Sequence, residues 1–205
     1  DSEKMSKSRG NVVAPDKLVA QYGADAVRAY LMFFARWDQG APWSSSGIEG
    51  VSRWLHRVWG ITIQITTEEN CVDPSDRMVR DLRRKVHQSI QQITYDMENF
   101  QFNTVISSLM ELTNALNAAR KDGMVGSEVY ADGVDTLLRL MAPVTPHICE
   151  ELWDRLGHSY SVHQQSWPIA DAVVAAAEEI TLVLQVNGKV RDKLTVPADI
   201  SDEAA

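Results

Sequence analysis

Two lysines three positions apart stand near the start of this chain, in the run Lys4-Met5-Ser6-Lys7-Ser8, which continues as Arg9-Gly10-Asn11. Two ammonium groups at that spacing can neutralise the oxygens of a polyphosphate. Serine hydroxyls and backbone N–H groups add hydrogen-bond donors to the same oxygens. Small side chains and Gly10 leave the backbone open to close approach. The run is not a Walker loop, because the GxxxxGK[ST] pattern is absent. Taken alone, such a stretch is equally well a solvated loop.

A second group with chemical potential is basic: Arg77, Arg80, Arg83, Arg84 and Lys85. Cations along one helix suit phosphodiester backbone, and this is a local electrostatic effect. It does not require a basic protein, and this one carries a formal charge of −8. The acidity is uneven. Residues 1–100 hold 13 basic and 13 acidic side chains, and residues 101–205 hold 7 and 15. The cluster therefore sits in the neutral half. Helical spacing puts Arg77, Arg80 and Arg84 near one face and Arg83 well around from them. Asp76 and Asp81 are close enough in sequence to pair with these arginines within the helix.

Other chemistries find no support. Cys71 and Cys149 are far apart with no CxxC, and read as two free thiols. The five histidines form no HExxH pair, so no metal site is expected. No run of about 18 apolar residues is present, so no membrane span is expected. No secretory leader pattern opens the chain. The start at Asp1, without methionine, points to a fragment or a processed chain.

The elements that must position these residues are mostly helical. Residues 1–14 read as a loop. Pro15 opens a short helix over 16–22 that Gly23 ends, and a second helix follows over 24–36, with Ala26, Val27, Tyr30, Leu31 and Phe34 at helical spacing. The polar run from Asp38 to Gly47 marks a loop and a boundary. From there, apolar stripes of 3.6-residue period recur. Val51, Trp54, Leu55, Val58 and Trp59 lie in 48–66. Val79, Leu82, Val86, Ile90, Ile93 and Met97 lie in 75–99, with Ser75 as N-cap. Val105, Ile106, Leu109, Leu112, Leu116 and Ala119 lie in 103–121, which Asp122-Gly123 ends. Val134, Leu137, Leu138 and Met141 lie in 127–141, and after Pro143 and Pro146 a short helix spans 146–156. Consecutive amphipathic helices with short polar breaks make a helix bundle. The tail differs: residues 180–187 alternate and are β-branched, Asn187-Gly188 follows, and a second run reaches Val196. That pattern signals a β-hairpin. Two strands are marginal alone, so the hairpin is expected to open a further domain. The expected architecture is mainly α, a helical bundle with a C-terminal β-hairpin. Its divisions are 1–46, 47–168 and 169–205.

The lysine run matches the KMSKS signature of class I aminoacyl-tRNA synthetases. The stretch MSKSRGNVVAPDKLVAQYGADAVRAYLMF resembles the end of the catalytic domain in the leucyl, valyl and isoleucyl branch. Met141-Ala142-Pro143-Val144-Thr145-Pro146-His147-Ile148 with Glu150-Glu151-Leu152-Trp153 is similar across that branch, and Ser161-Val162-His163-Gln164-Gln165 with Trp167-Pro168 more loosely so. Phe102-Asn103-Thr104 with Leu109-Met110-Glu111-Leu112 resembles leucyl enzymes. So does Val186-Asn187-Gly188-Lys189-Val190-Arg191, which is the most leucyl-like piece. The resemblance fades over 169–179 and after Val196.

The resemblance implies a bundle of the anticodon-binding type and a leucine–tRNA ligase as the parent enzyme. Its partners would be ATP with Mg2+, leucine and tRNA(Leu), in a cytoplasmic monomer. Lys7 would steady the departing pyrophosphate and Lys4 would support it. Met5, Ser6 and Ser8 complete the ATP-facing loop. Arg77, Arg80, Arg83, Arg84 and Lys85 would meet tRNA phosphates. No HIGH-type motif occurs in these 205 residues, so the chain alone is expected to lack ligase activity and to hold no bound cofactor. Two other readings stay open: a valyl or isoleucyl enzyme, and a non-catalytic helical RNA-binding module.

Overall fold

In a computed structural model the described residues are 4–39, 41–44, 47–66, 73–176, 179–186 and 189–197. Eight helices are found among them. These are α1 (Pro15–Tyr22), α2 (Ala24–Phe33), α3 (Gly47–Ile63), α4 (Asp76–Glu98), α5 (Phe102–Lys121), α6 (Glu128–Met141), α7 (Pro146–Arg155) and α8 (Ala172–Ala175). The protein is mainly helical, as the periodicity requires.

One apolar core runs through α2 to α7. The stripe of α3 buries Val51, Trp54, Leu55 and Val58, and that of α4 buries Leu82, Val86, Ile90 and Ile93. Two polar side chains carried deep into this core are matched. The Trp54 indole N–H donates to Thr113 Oγ1 on α5 at 2.9 Å, and the Tyr130 hydroxyl donates to the Ile61 carbonyl at 3.1 Å. Each bond spares a buried donor the roughly 1–3 kcal/mol cost of going unpaired. Close approach of α6 to its neighbours depends on Gly133, where an added Cβ would lie 2.9 Å from Leu116 Cδ2.

Helix ends follow local chemistry. Ser75 caps α4, its hydroxyl accepting from Met78 N–H at 3.4 Å. α5 closes on Gly123 in the left-handed region, with Met124 N–H reaching the Ala119 carbonyl and Gly123 N–H the Arg120 carbonyl. α4 ends with the same pair of bonds, from Gln101 N–H to Asp96 and from Phe100 N–H to Met97. Here, however, Phe100 holds the left-handed position with φ 55° and is 71% exposed. This is the Schellman closure, built on glycine at Gly123, and again at Gly157 after α7, but at Phe100 on a residue that pays strain for it.

Several expectations shift. α2 ends at Phe33 rather than at residue 36, and Leu31 is exposed. Among the described residues of the expected loop, 4–14, a 3-10 turn forms at Lys7–Arg9. The expected linker after residue 168 includes α8, capped by Asp171, whose carboxylate accepts from Val173 and Val174 N–H. Backbone of β1 (Glu179–Val186) and β2 (Lys189–Pro197) pairs antiparallel, with Val186 opposite Lys189. The Asn187-Gly188 turn on which the expected hairpin rests lies outside the described residues, as does Cys71.

Candidate functional site

The lysine loop is shaped by its own side chains. Ser6 N–H donates to Asn11 Oδ1 at 2.7 Å, and Asn11 Nδ2 reaches the Lys4 carbonyl at 3.4 Å. Asn11 thereby clasps both ends of the Lys4–Gly10 turn. Inside it the Ser6 and Ser8 hydroxyls lie 2.8 Å apart, and Gly10, at φ 68°, sends its N–H to the Lys7 carbonyl. Lys4, Met5, Lys7 and Ser8 are exposed, and Ser6 is half-buried. Two ammonium groups and two hydroxyls therefore stand on one small turn, able to surround an anionic oxygen cluster.

Behind the loop, α1 and α2 fix its root to the bundle. Asp25, buried in the first turn of α2, aims its carboxylate at the start of α7. Its Oδ2 accepts from Ile148 N–H at 2.7 Å. Its Oδ1 lies 2.8 Å from His147 Nδ1 and 3.4 Å from His147 N. Thr145, the N-cap residue of α7, gives no side-chain cap, because its hydroxyl turns back to the Met141 carbonyl. Asp25 supplies the missing cap from another element, and its negative charge suits a helix N-terminus. One turn further along α2, Arg28 donates through Nε to the Val144 carbonyl at 3.1 Å and through Nη2 to the Pro143 carbonyl at 3.0 Å. The YGAD segment and the APVTPHI segment thus meet in one polar clamp. Neither Asp25 nor Arg28 was legible as a clamp residue in the sequence.

Burial tunes the groups nearby. Cys149, one turn into α7, has its thiol pushed up to about 12 by burial. Asp135 on α6 is raised by burial, although His158 Nε2 lies 2.9 Å from its Oδ1. The His158 ring also stacks on Trp153 at 4.1 Å between centroids.

The basic cluster divides on inspection. Asp81 stands between Arg77, at 3.7 Å, and Arg84, at 3.1 Å. Arg84 is drawn in: its side chain is 19% exposed, against 81% for Arg77, and its Nε donates to the Ala176 carbonyl. Gln88 adds a bond to the Ala175 carbonyl, so α4 holds α8 along its flank. Lys85 pairs with Glu111 at 3.0 Å. Arg80 and Arg83 are exposed and make no ion pair among the described residues. Helical spacing groups Arg84 with Arg77 and Arg80, whereas its head group is committed to holding the chain together. Among the described residues no group of three or more His, Cys, Asp or Glu side chains could hold a metal ion. No described helix is long and apolar enough to cross a membrane.

Comparison with known proteins covers both halves of this arrangement. A family described as the anticodon-binding domain of tRNA ligase matches residues 79–205. A second, described as class I tRNA synthetases (I, L, M and V), matches residues 1–41. The leucine–tRNA ligase of Dehalococcoides mccartyi strain CBDB1 is 49% identical over 203 residues, which is 99% of this chain and 25% of that protein. That of Deinococcus radiodurans is 46% identical over all of this chain and 24% of its own length. The chain therefore spans about a quarter of the length of the curated relatives it matches. The Agrobacterium radiobacter K84 agnB2 LeuRS in a LeuRS–tRNA–LeuAMS ternary complex superposes with a TM-score of 0.80 at 32% identity, over 98% of this chain and 26% of that one. Mycobacterium tuberculosis methionyl-tRNA synthetase shares the fold alone, with a TM-score of 0.59 at 15% identity over 72% of this chain and 35% of its own. The chain belongs to the anticodon-binding domain family of tRNA ligases, with a class I synthetase segment ahead of that domain.

Proposed function

We propose that this chain is the lysine-loop and tRNA-docking segment of a leucine–tRNA ligase. The observation that carries the reading is the clasped loop with its exposed Lys4 and Lys7, rooted by Asp25 and Arg28 in a bundle of the anticodon-binding family. The choice of leucine is supported by relatives at 40–49% identity along almost the whole chain. In that ligase, leucine's carboxylate attacks the α-phosphorus of ATP and pyrophosphate leaves. The adenylate then esterifies the 3′-terminal ribose of tRNA(Leu). Charge accumulates on the leaving pyrophosphate as the bond breaks. A loop that meets this charge with Lys7, seconded by Lys4 and by the Ser6 and Ser8 hydroxyls, stabilises the transition state more than the ground state. Met5 lies on the same turn. Mg2+ would arrive on the phosphates of ATP.

Residues 1–46 are read as catalytic-domain tail, 47–168 as docking bundle, and 169–205 as a linker and β-hairpin opening a C-terminal domain. The ligase is read as a cytoplasmic monomer. Arg77, Arg80 and Arg83 are the freer phosphate-facing cations of α4. Arg84 and Lys85 complete the cluster while serving their internal pairs. Leucine-dependent ATP–pyrophosphate exchange tests the loop. In the complete ligase, Lys7→Ala is expected to lower kcat by roughly 10²–10³ with little change in the KM for leucine. An unchanged kcat overturns Lys7's role. The 205-residue chain alone is expected to show no exchange, and measurable exchange would refute that expectation.

A further inference from the structure

A cleft of about 460 Å³ opens between α4 and α6, bounded on its outer side by Trp167 and its neighbours. Its floor is apolar, with Val86 and Ile90 from α4; of its polar lining, His87 and Asp135 are committed, His87 accepting from Asp171 N–H and Asp135 meeting His158. Arg139 Nε is buried and has no hydrogen-bond partner among the described residues. A guanidinium N–H out of reach of water and without an acceptor is costly, so it marks a place where an acceptor is missing. Two turns earlier on the same helix, Asp132 also lines the cleft; it is exposed and makes no ion pair among the described residues, so it offers a free acceptor. Arg83, also without an ion pair there, stands exposed on α4 and lines the cleft as well. The other carboxylate on the wall, Asp135, is occupied by His158.

The mixture decides which ligand fits. A phosphate alone needs no apolar floor and would be repelled by Asp132. A peptide could answer Arg139 and Asp132 through its own carbonyls and N–H groups, but the partner proposed for this bundle is tRNA. A nucleobase offers a flat apolar face together with ring N–H donors and carbonyl or ring-nitrogen acceptors on one edge, and its own phosphate lies a few bonds away. We propose that this cleft receives one unpaired nucleotide of the docked tRNA. The base lies over Val86 and Ile90, its edge shared between Arg139 and Asp132, and its phosphate meets Arg83. The cleft volume lies in the range that holds a small ligand of this size. The inference rests on the reading of the bundle as a tRNA-docking body, and it adds a base-reading contact to the phosphate contacts already assigned.

The test is tRNA(Leu) binding by the complete ligase, measured across a salt series for Asp132→Asn, Arg139→Gln, Arg83→Ala and Arg80→Ala. Asp132→Asn is expected to weaken binding about ten-fold at every salt concentration. That outcome separates a base from a bare phosphate, because removing a negative charge beside a phosphate would tighten binding. Arg139→Gln is expected to weaken binding to a similar degree with a nearly unchanged salt slope. Arg83→Ala is expected to flatten the slope by about one contact. Tighter or unchanged binding by Asp132→Asn overturns the proposal. If Arg139→Gln loses its thermal transition, the exposed Asp132 substitution still decides the matter. Arg80→Ala lies outside the cleft and reports on docking itself. If it leaves affinity and slope unchanged together with Arg83→Ala, the docking reading fails. If it flattens the slope while Asp132→Asn does nothing, only the nucleotide cleft fails.

Discussion

Asp25 shows how much one buried side chain can organise. Its carboxylate caps a helix that begins more than a hundred residues later, through bonds to His147 and Ile148. Asp25→Ala removes the acceptor for those N–H groups, and the N-terminus of α7 has no side-chain cap of its own to fall back on. A cost of roughly 2 kcal/mol is expected, read as a lowered denaturant midpoint with an unchanged m-value. An unaffected midpoint would show that Thr145 or water takes over the cap. Cys149 gives a second prediction at this scale. A thiol raised from 9.0 to about 12 holds its proton in the native state over the range where the unfolded chain loses it. Its contribution is therefore fully present below pH 9 and declines as pH rises above that, by about 1.4 kcal/mol per unit. At pH 8 the folded chain is expected to resist alkylation at Cys149, and denaturant should restore labelling, as peptide-resolved mass spectrometry would show. Rapid labelling of the native chain would refute the assignment.

Helices are where sequence and structure agree best, and α4 shows both the agreement and its limit. The stripe Leu82, Val86, Ile90 and Ile93 was legible because burial on a helix obeys its period. So were the Ser75 cap and the Gly123 stop, which rest on residue types with strong local preferences. The fate of the basic side chains was not legible. Spacing placed Arg84 beside Arg77 and Arg80, but nothing local reveals that the carbonyls of residues 175 and 176 arrive on that flank. The same holds for Glu111, which reaches Lys85 from α5. Asn11 was visible as a residue of the loop, yet its clasp depends on how the turn closes. These partners separate two behaviours. Arg80→Ala is expected to weaken tRNA binding by the ligase and to flatten its salt dependence while leaving thermal stability unchanged. Arg84→Ala is expected to do the reverse. It should release α8, with faster proteolysis around residues 172–176 and a loss of about 1–2 kcal/mol, and with a smaller change in salt slope. Equal effects of the two substitutions on both readouts would erase the distinction.

At the scale of the molecule, the polar run from Asp38 to Gly47 reads in the sequence as a boundary, yet one core lies on both sides of it. Ala26, Val27, Ala29 and Tyr30 of α2 lie in the same buried cluster as the bundle residues. Tyr30 also donates its hydroxyl to the Ser44 carbonyl, and its ring meets Trp43 edge-on at 5.4 Å. Helices sharing one core are expected to melt together, so calorimetry of residues 4–176 should show a single transition. Deleting residues 1–37 should lower the midpoint by about 10 °C or abolish the transition, since it strips this packing along with Asp25 and Arg28. A separate early transition in the intact chain would argue for two independent bodies. The clamp also has a consequence for signalling. The segment that roots the lysine loop and the corner that opens α7 are joined by a carboxylate, a guanidinium and a shared core, with no slack linker between them. If the bundle docks tRNA as proposed, its tilt would reach the loop as a lever stroke, and a grip on one ligand would become a lever on the chemistry of another.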